Sequence, residues 1–326
     1  MKTKCCPIVL LGGMMKILVT GGAGYVGGHL VDQLILDGHD VHVVDSLFYE
    51  DQFLKPVKFT YGDIRDTKLM TELSHNVDCV VWLAALVGDP ACSIDPRISE
   101  EINTTALSNF VKQYQGKLVF ISTCSVYGAQ DELLDELAPT NPLSIYASTK
   151  LASEVILADR KETLILRLGT LFGVGDNWSR LRLDLAVNVL TQKAYLENEL
   201  EMFGGEQWRP FLHVKDVGNI IALNMDDFKS GTFNLASENV TISELVQRIV
   251  KHLPNISIKS TPLSFQDARN YRVSSKKAHT DLKMPQFISI DTGIEEMISI
   301  LEDGRIPRPA ANRFKNVAAL NDLWKI

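Results

Sequence analysis

Short apolar runs alternate with amphipathic stretches through the first half of the chain. Lys16–Thr20 (KILVT) is a β-branched run that stops at glycines, which predicts a buried strand. Tyr25–Asp37 has helical spacing, and Gly38 ends it. His39–Asp45 predicts a second strand. Val57–Tyr61, Cys79–Leu83 and Lys117–Ser122 predict three more. Lys68–Ser74 and Ser99–Tyr114 have helical character between them, and a helix over Ser148–Asp159 precedes a sixth strand at Leu164–Leu168. This alternation predicts an α/β fold: a doubly wound parallel sheet with helices on both faces.

After Gly169 the pattern becomes irregular. Arg180–Leu196 and Val214–Met225 have helical spacing, and Leu200–Phe203 and Gly231–Leu235 look like strands. Ile242–His252 predicts a helix capped near Thr241. The expected division is a nucleotide-binding domain over 15–170, to which the chain returns around 211–236. A smaller mixed α/β substrate lobe occupies 171–302, and a loosely docked tail covers 303–326. Residues 1–14 carry two lysines and an apolar stretch, Cys6–Leu11, short for a signal segment. They are expected to be an extension upstream of a start at Met14 or Met15. Neither an internal repeat nor a low-complexity segment is evident.

Composition narrows the class. The 326 residues are 45% hydrophobic and 22% charged, an ordinary globular balance with room for two lobes. A net charge of −7 argues against a nucleic-acid partner and against attraction to anionic lipid. No apolar run approaches the ~18 residues of a membrane span. The five cysteines are scattered without a CxxC pair. No metal site or dithiol motif is expected, and a reducing, cytoplasmic setting fits.

Gly21, Gly24 and Gly27 form GxxGxxG between a predicted strand and a predicted helix. Glycine lets the turn be tight and lets a pyrophosphate approach bare backbone, while the helix start at Tyr25 and Val26 offers unpaired N–H groups. Asp45 ends the second strand, where a carboxylate can accept both adenosine ribose hydroxyls and repel an added 2′-phosphate. The expected cofactor is therefore NAD. Asp63, followed by Ile64, could accept the adenine amino group or serve as a solvated turn residue. Leu83, Ala84 and Ala85 end the fourth strand, small enough to let a flat cofactor pass close to the backbone.

Tyr146 and Lys150 stand four apart, on one face of a helix. A free phenol titrates near ~10 and is a poor base at neutral pH. A nearby ammonium and a charged nicotinamide would favour the phenolate, which can take a proton from a substrate hydroxyl as hydride leaves the same carbon. The segment from Ser122 to Gly128 follows the fifth strand, and its hydroxyls could hold the reacting oxygen.

These residues lie within TGGAGYVG, VVD, GDIRD, LAA, STCSVYG, YASTK, LRLGTLFG, RPFLHVKDV and DARNYRV. From about Lys16 to about Leu301 the chain resembles extended short-chain dehydrogenases with a Rossmann fold, in the NAD-dependent epimerase/dehydratase group acting on nucleotide sugars. The resemblance implies that Thr123 holds the substrate hydroxyl, that Tyr146 is the base and that Lys150 is its partner on the nicotinamide ribose. It places Asn103 near the nicotinamide end. It makes Arg209 and Arg269 a clamp on the substrate diphosphate, as two guanidinium forks suit two phosphates. It implies a homodimer through the helices at Thr104–Tyr114 and Ser148–Asp159.

Departures from the family pattern narrow the reaction. The 4,6-dehydratases follow the threonine with Asp-Glu, and here Cys124 and Ser125 stand instead. The Cys and His pair of 3,5-epimerase/reductases is not matched, so Cys124 is expected to pack. What remains is oxidation at one carbon, C4, by a 4-epimerase or a 4-dehydrogenase. Thr170 replaces a family asparagine, which weakens one expected diphosphate contact. Arg180, Arg182 and Asn188 resemble the branch that includes GDP-heptose 4-dehydrogenases and are candidate substrate contacts. Alternatively Arg180 and Arg182 mark a solvated helix face, with Asp184 paired to one of them.

Overall fold

The computed structural model describes residues 13–176, 180–203, 205–261, 269–306 and 311–324. The expected extension over 1–14 therefore lies almost wholly outside the described residues, as do residues 307–310 of the expected tail.

Seven parallel strands make the main sheet: β1 (Lys16–Thr20), β2 (Asp40–Asp45), β3 (Lys58–Tyr61), β4 (Cys79–Trp82), β5 (Lys117–Thr123), β6 (Thr163–Leu168) and β7 (Gly231–Leu235). Their spatial order is β7-β6-β5-β4-β1-β2-β3. The order reverses between β1 and β4, the point at which a doubly wound sheet opens a crevice at its carboxyl edge.

Alternate residues of the buried strands feed two cores. Ile17, Val19, Val43, Val81 and Leu166 face one side, where Leu30 and Leu34 of the helix Tyr25–Leu36 and Ile220 and Ile221 of the helix Val214–Leu223 cover them. Leu18, Val44, Val80, Trp82 and Phe120 face the other, under Leu107, Phe110, Leu157 and Leu320. The strands read as near-continuous apolar runs because both faces are buried.

The second lobe is built on two small sheets. Thr170–Phe172, Trp208–His213 and Glu238–Thr241 form one, and Glu199–Phe203 pairs with Ser257–Thr261 in the other. A capping box at Thr241 and Glu244 starts the helix Ile242–His252. Ala129–Leu134 pairs with Asn270–Val273, tying the segment after β5 to the second lobe.

Three expectations change. The helix expected over Arg180–Leu196 begins only at Ala186 and runs to Glu197. Arg180-Leu181-Arg182-Leu183-Asp184-Leu185 alternates with a period of two. Leu181 and Leu183 are buried with Phe314, Met297 and Ile306, while Arg180 and Arg182 turn the other way, into the central cavity. The stretch Ser99–Tyr114 is not one regular helix. Pro96–Glu100, a π-helical turn Glu101–Thr105 and Ala106–Val111 follow one another.

The tail is the third. Residues 311–324 are firmly docked: the helix Asn316–Trp324 buries Leu320 in the sheet core. Asn316 Nδ2 donates to the Val87 carbonyl (2.7 Å), and its backbone N–H donates to Asp184 (2.9 Å).

Candidate active site

One cavity of about 280 Å3 lies along the carboxyl ends of the main strands. Gly21 follows β1, Asp45 ends β2, Asp63 and Ile64 follow β3, Leu83–Ala85 follow β4, Thr123 ends β5 and Thr170 follows β6; all line it.

The glycine turn is packed too closely for other residues. Gly21 has φ +73°, and a Cβ there would lie 2.7 Å from the Ala84 amide nitrogen. A Cβ on Gly27 would meet the Gly22 carbonyl oxygen at 2.6 Å. Gly24 caps the helix Tyr25–Leu36 without a side chain, and the first turn holds no acidic residue. Gly24, Tyr25 and Val26 border the cavity there. A bare helix N-terminus at a crevice suits the pyrophosphate of NAD.

Asp45 supports this turn as well as facing the cavity. Its Oδ2 accepts the Ala23 amide (3.0 Å) and its Oδ1 the Leu47 amide (2.8 Å). Burial raises its carboxyl above the usual range, against those amide bonds. Each oxygen keeps acceptor capacity for a ribose hydroxyl. Asp63 is engaged differently. Arg65 donates to it from Nη2 (2.6 Å), Nε and its backbone amide. Burial lifts the Asp63 carboxyl, but those bonds outweigh it and hold the group below its ordinary value.

Tyr146 and Lys150 sit on the helix Ile145–Leu157, which Ser144 caps through the Ala147 amide. Lys150 is 2% exposed, and its Nζ donates to the Ile121 carbonyl (2.8 Å). Burial pulls its ammonium down to about 8. Burial also pushes the Tyr146 phenol up, and the foremost cation opposing it is Arg182, not Lys150. Thr123 lines the same wall, its Oγ1 accepting the Ser125 amide (3.1 Å). Cys124 is fully buried, with Sγ 3.1 Å from the Arg167 carbonyl, and is a packing residue.

Three sequence candidates, Asn103, Asn188 and Arg209, are not among the residues that line the cavity. Asn103 is 1% exposed and clamps the loop after β4: it accepts the Leu86 amide (2.8 Å) and donates to the Leu86 carbonyl (2.9 Å) and Thr149 (3.1 Å). Asn188 is buried behind the wall. It accepts the Gly173 amide (2.9 Å) and donates to the Arg182 carbonyl (2.9 Å) and the Tyr25 hydroxyl (3.4 Å). Both amides shape the cavity from behind. Arg269 lines the cavity, 3.2 Å from Asp89, and Arg209 donates to its backbone carbonyl. The two arginines from separate segments are thus brought together. Arg180 and Arg182 line the cavity and lie on no helix, so they form no solvated helix face, but the expected pair with Asp184 is present at Arg182 (3.0 Å).

Two contributors were not singled out from sequence. Tyr271 lines the cavity, with its hydroxyl 3.1 Å from Ser125 Oγ. It lies two residues past Arg269 in the same motif, which was the available signal. Tyr49 stacks under the Arg180 guanidinium at 3.9 Å, and nothing in the loop after Asp45 announces it.

Comparison with known proteins identifies the family. The model of the NAD dependent epimerase/dehydratase family matches residues 17–236. A UDP-glucose 4-epimerase of Halalkalibacterium halodurans is 31% identical over 314 residues, covering 86% of this chain and 94% of its own length. UDP-glucuronic acid decarboxylase 1 of Danio rerio is 26% identical over 326 residues, covering 92% and 78%. Among solved structures, MoeE5 in complex with UDP-glucuronic acid and NAD is similar with a TM-score of 0.76 at 26% identity, covering 89% of this chain and 99% of that one.

Proposed function

The chain belongs to the NAD dependent epimerase/dehydratase family, and from that premise we propose that it is a nucleotide-sugar 4-epimerase. The observation that carries this reading is the shared wall of Thr123, Tyr146 and Lys150, with no carboxylate at the two positions after Thr123. Cys124 is sealed in the core and Ser125 is bonded to Tyr271. Loss of water across C5 and C6 would lack its acid and base there, whereas chemistry at one hydroxyl-bearing carbon needs only Tyr146 and its partners.

The residues divide the work as follows. Gly21, Gly24 and Gly27 with Tyr25 and Val26 would hold the pyrophosphate, Asp45 the adenosine ribose, and Asp63 and Ile64 the adenine edge. NAD, when bound, accepts a hydride from the sugar carbon and can return it. Thr123 holds the C4 hydroxyl through its Oγ1, and the Tyr146 phenolic oxygen takes its proton. The Lys150 ammonium, fixed on the Ile121 carbonyl, supports the phenolate. Arg209, Arg269 and Thr170 hold the substrate diphosphate, leaving the sugar free to present either face. After the sugar has turned, Tyr146 would give its proton back to the C4 oxygen, and the configuration at C4 would be set by the face of the ketone that takes back the hydride.

A nucleotide-sugar 4-dehydrogenase would use the same residues and release the ketone with NADH. The two outcomes separate in one experiment. Purified protein is incubated with UDP-, GDP-, CDP- and dTDP-hexoses while absorbance at the NADH band and product identity are followed. The 4-epimer without NADH accumulation is expected; stoichiometric NADH with a keto sugar would replace the epimerase reading.

A further inference from the structure

Two cations, the buried Arg180 and the partly buried Arg182, face the cavity from the second lobe, beside the cofactor turn. Arg180 is 3% exposed. Its Nε donates to the Arg313 carbonyl (2.9 Å), its guanidinium lies 3.9 Å from the centre of the Tyr49 ring, and its Nη2, among the described residues, has no hydrogen-bond partner. Arg182 lies two residues on and lines the same cavity, with Nε bonded to Asp184 (3.0 Å). A buried guanidinium nitrogen without an acceptor is costly, and two neighbouring cations against one bonded carboxylate make the imbalance larger. The remaining acid beside them is Glu50, whose carboxyl burial pushes up to about 7. Such a site is built for an anion that arrives with the ligand.

Their neighbours say which anion. Tyr49 and Glu50 belong to the loop that leaves Asp45, the expected ribose carboxylate. Tyr25 opens the helix after the glycine turn, and Asn188 joins its hydroxyl (3.4 Å) to the Arg182 carbonyl (2.9 Å). Arg269 and Arg209 form a separate pair with Asp89 and Trp208. We propose that Arg180 and Arg182 form a second clamp on the pyrophosphate of NAD, reaching from the substrate lobe toward the glycine turn. This moves both arginines from the substrate to the cofactor. The inference rests on the NAD site and not on which sugar reaction follows.

The fork geometry of arginine suits a diphosphate, and its charge requires no proton to be lost or gained. Dinucleotide held only by the glycine turn would be bound by one domain. Held by the clamp as well, it is bound by both.

The test compares Arg180→Gln and Arg182→Gln with the parent chain, using NAD, ADP-ribose, adenosine, UDP and GDP as titrants in calorimetry. NAD retained through gel filtration is measured in parallel. The expected result is a rise of about tenfold or more in the Kd of NAD and ADP-ribose for each variant, equivalent to about 1.4 kcal/mol. Adenosine, UDP and GDP should bind within about twofold of the parent under the same tenfold-per-1.4 kcal/mol scale. Weakened UDP or GDP binding would overturn the assignment in favour of a substrate clamp. Unchanged binding of every titrant would leave the arginines as packing residues and overturn it too. If Arg180→Gln does not fold, Arg180→Lys and Arg182→Gln carry the comparison, with melting temperatures of the ligand-free proteins as the control for folding.

Discussion

Glu154 and Arg167 form a buried ion pair behind the wall that carries Tyr146 and Lys150, with Nη2 2.6 Å from Oε2 and Nε 3.0 Å from Oε1. Glu154 is one helical turn beyond Lys150, and Arg167 lies on β6, so the pair fixes the helix of Tyr146 and Lys150 to the sheet. Ser122, on the cavity surface, donates to the same carboxylate. Arg167 also donates to the Tyr127 hydroxyl (2.7 Å). Removing one partner strands the other charge. Arg167→Met should therefore destabilise the protein by about 3–5 kcal/mol. Pairing it with Glu154→Leu should recover much of that loss in a urea-unfolding cycle, because no charge is then left buried.

Tyr146→Phe deletes the proposed proton acceptor and leaves the ring that packs in the wall. Turnover should fall by about 10²–10⁴-fold. NAD retention and UDP affinity should stay near the parent's. Full product formation by this variant would remove Tyr146 from the chemistry.

Gly21→Ala places a methyl 2.7 Å from the Ala84 nitrogen at a φ of +73°. The strain should cost about 1–3 kcal/mol. If the turn is also the pyrophosphate seat, as proposed, NAD should be lost on gel filtration even where the fold survives, and thermal melting with and without NAD separates the two effects.

The Lys150 ammonium is held down to about 8 by burial. Its charged form therefore predominates below that value and is lost as pH rises through it. The rate of the first half-reaction, followed at the NADH band before any product leaves, should decline above about pH 8 through this group. Lys150→Met should be slow at every pH and lack that limb.

Leu320 is fully buried although it lies on the last helix. Leu320→Ala should cost about 2–5 kcal/mol in chemical unfolding, as for other core leucines. A change within about 0.5 kcal/mol, the usual range for surface positions, would mean that the segment docks only loosely.

The Rossmann half was legible because its strands are buried on both faces and end at residues with chemical signatures. KILVT before Gly21 and VVD ending in Asp45 needed no tertiary information. The start of the helix at Ala186 was misplaced because 181, 183 and 185 are all leucine and extend a helical pattern by coincidence. Their period of two was the better guide, and it also gives the direction of Arg180 and Arg182. Asn103 and Asn188 were placed at the ligand from family likeness, but an amide buried beside backbone groups is most readily satisfied by them. Tyr49 and Tyr271 were not visible because their roles depend on partners 131 and 146 residues away in sequence, Arg180 and Ser125.

The bond from Asn316 to Val87 spans 229 residues, and the tail helix supplies Leu320 to a core that β1 and β4 began. A ribosome making this chain will have released the glycine turn and Asp45 long before that bond can form. The nascent amino-terminal half must wait with one face of its sheet incompletely covered, a long-range closure of the kind that slows folding and exposes apolar surface to other chains.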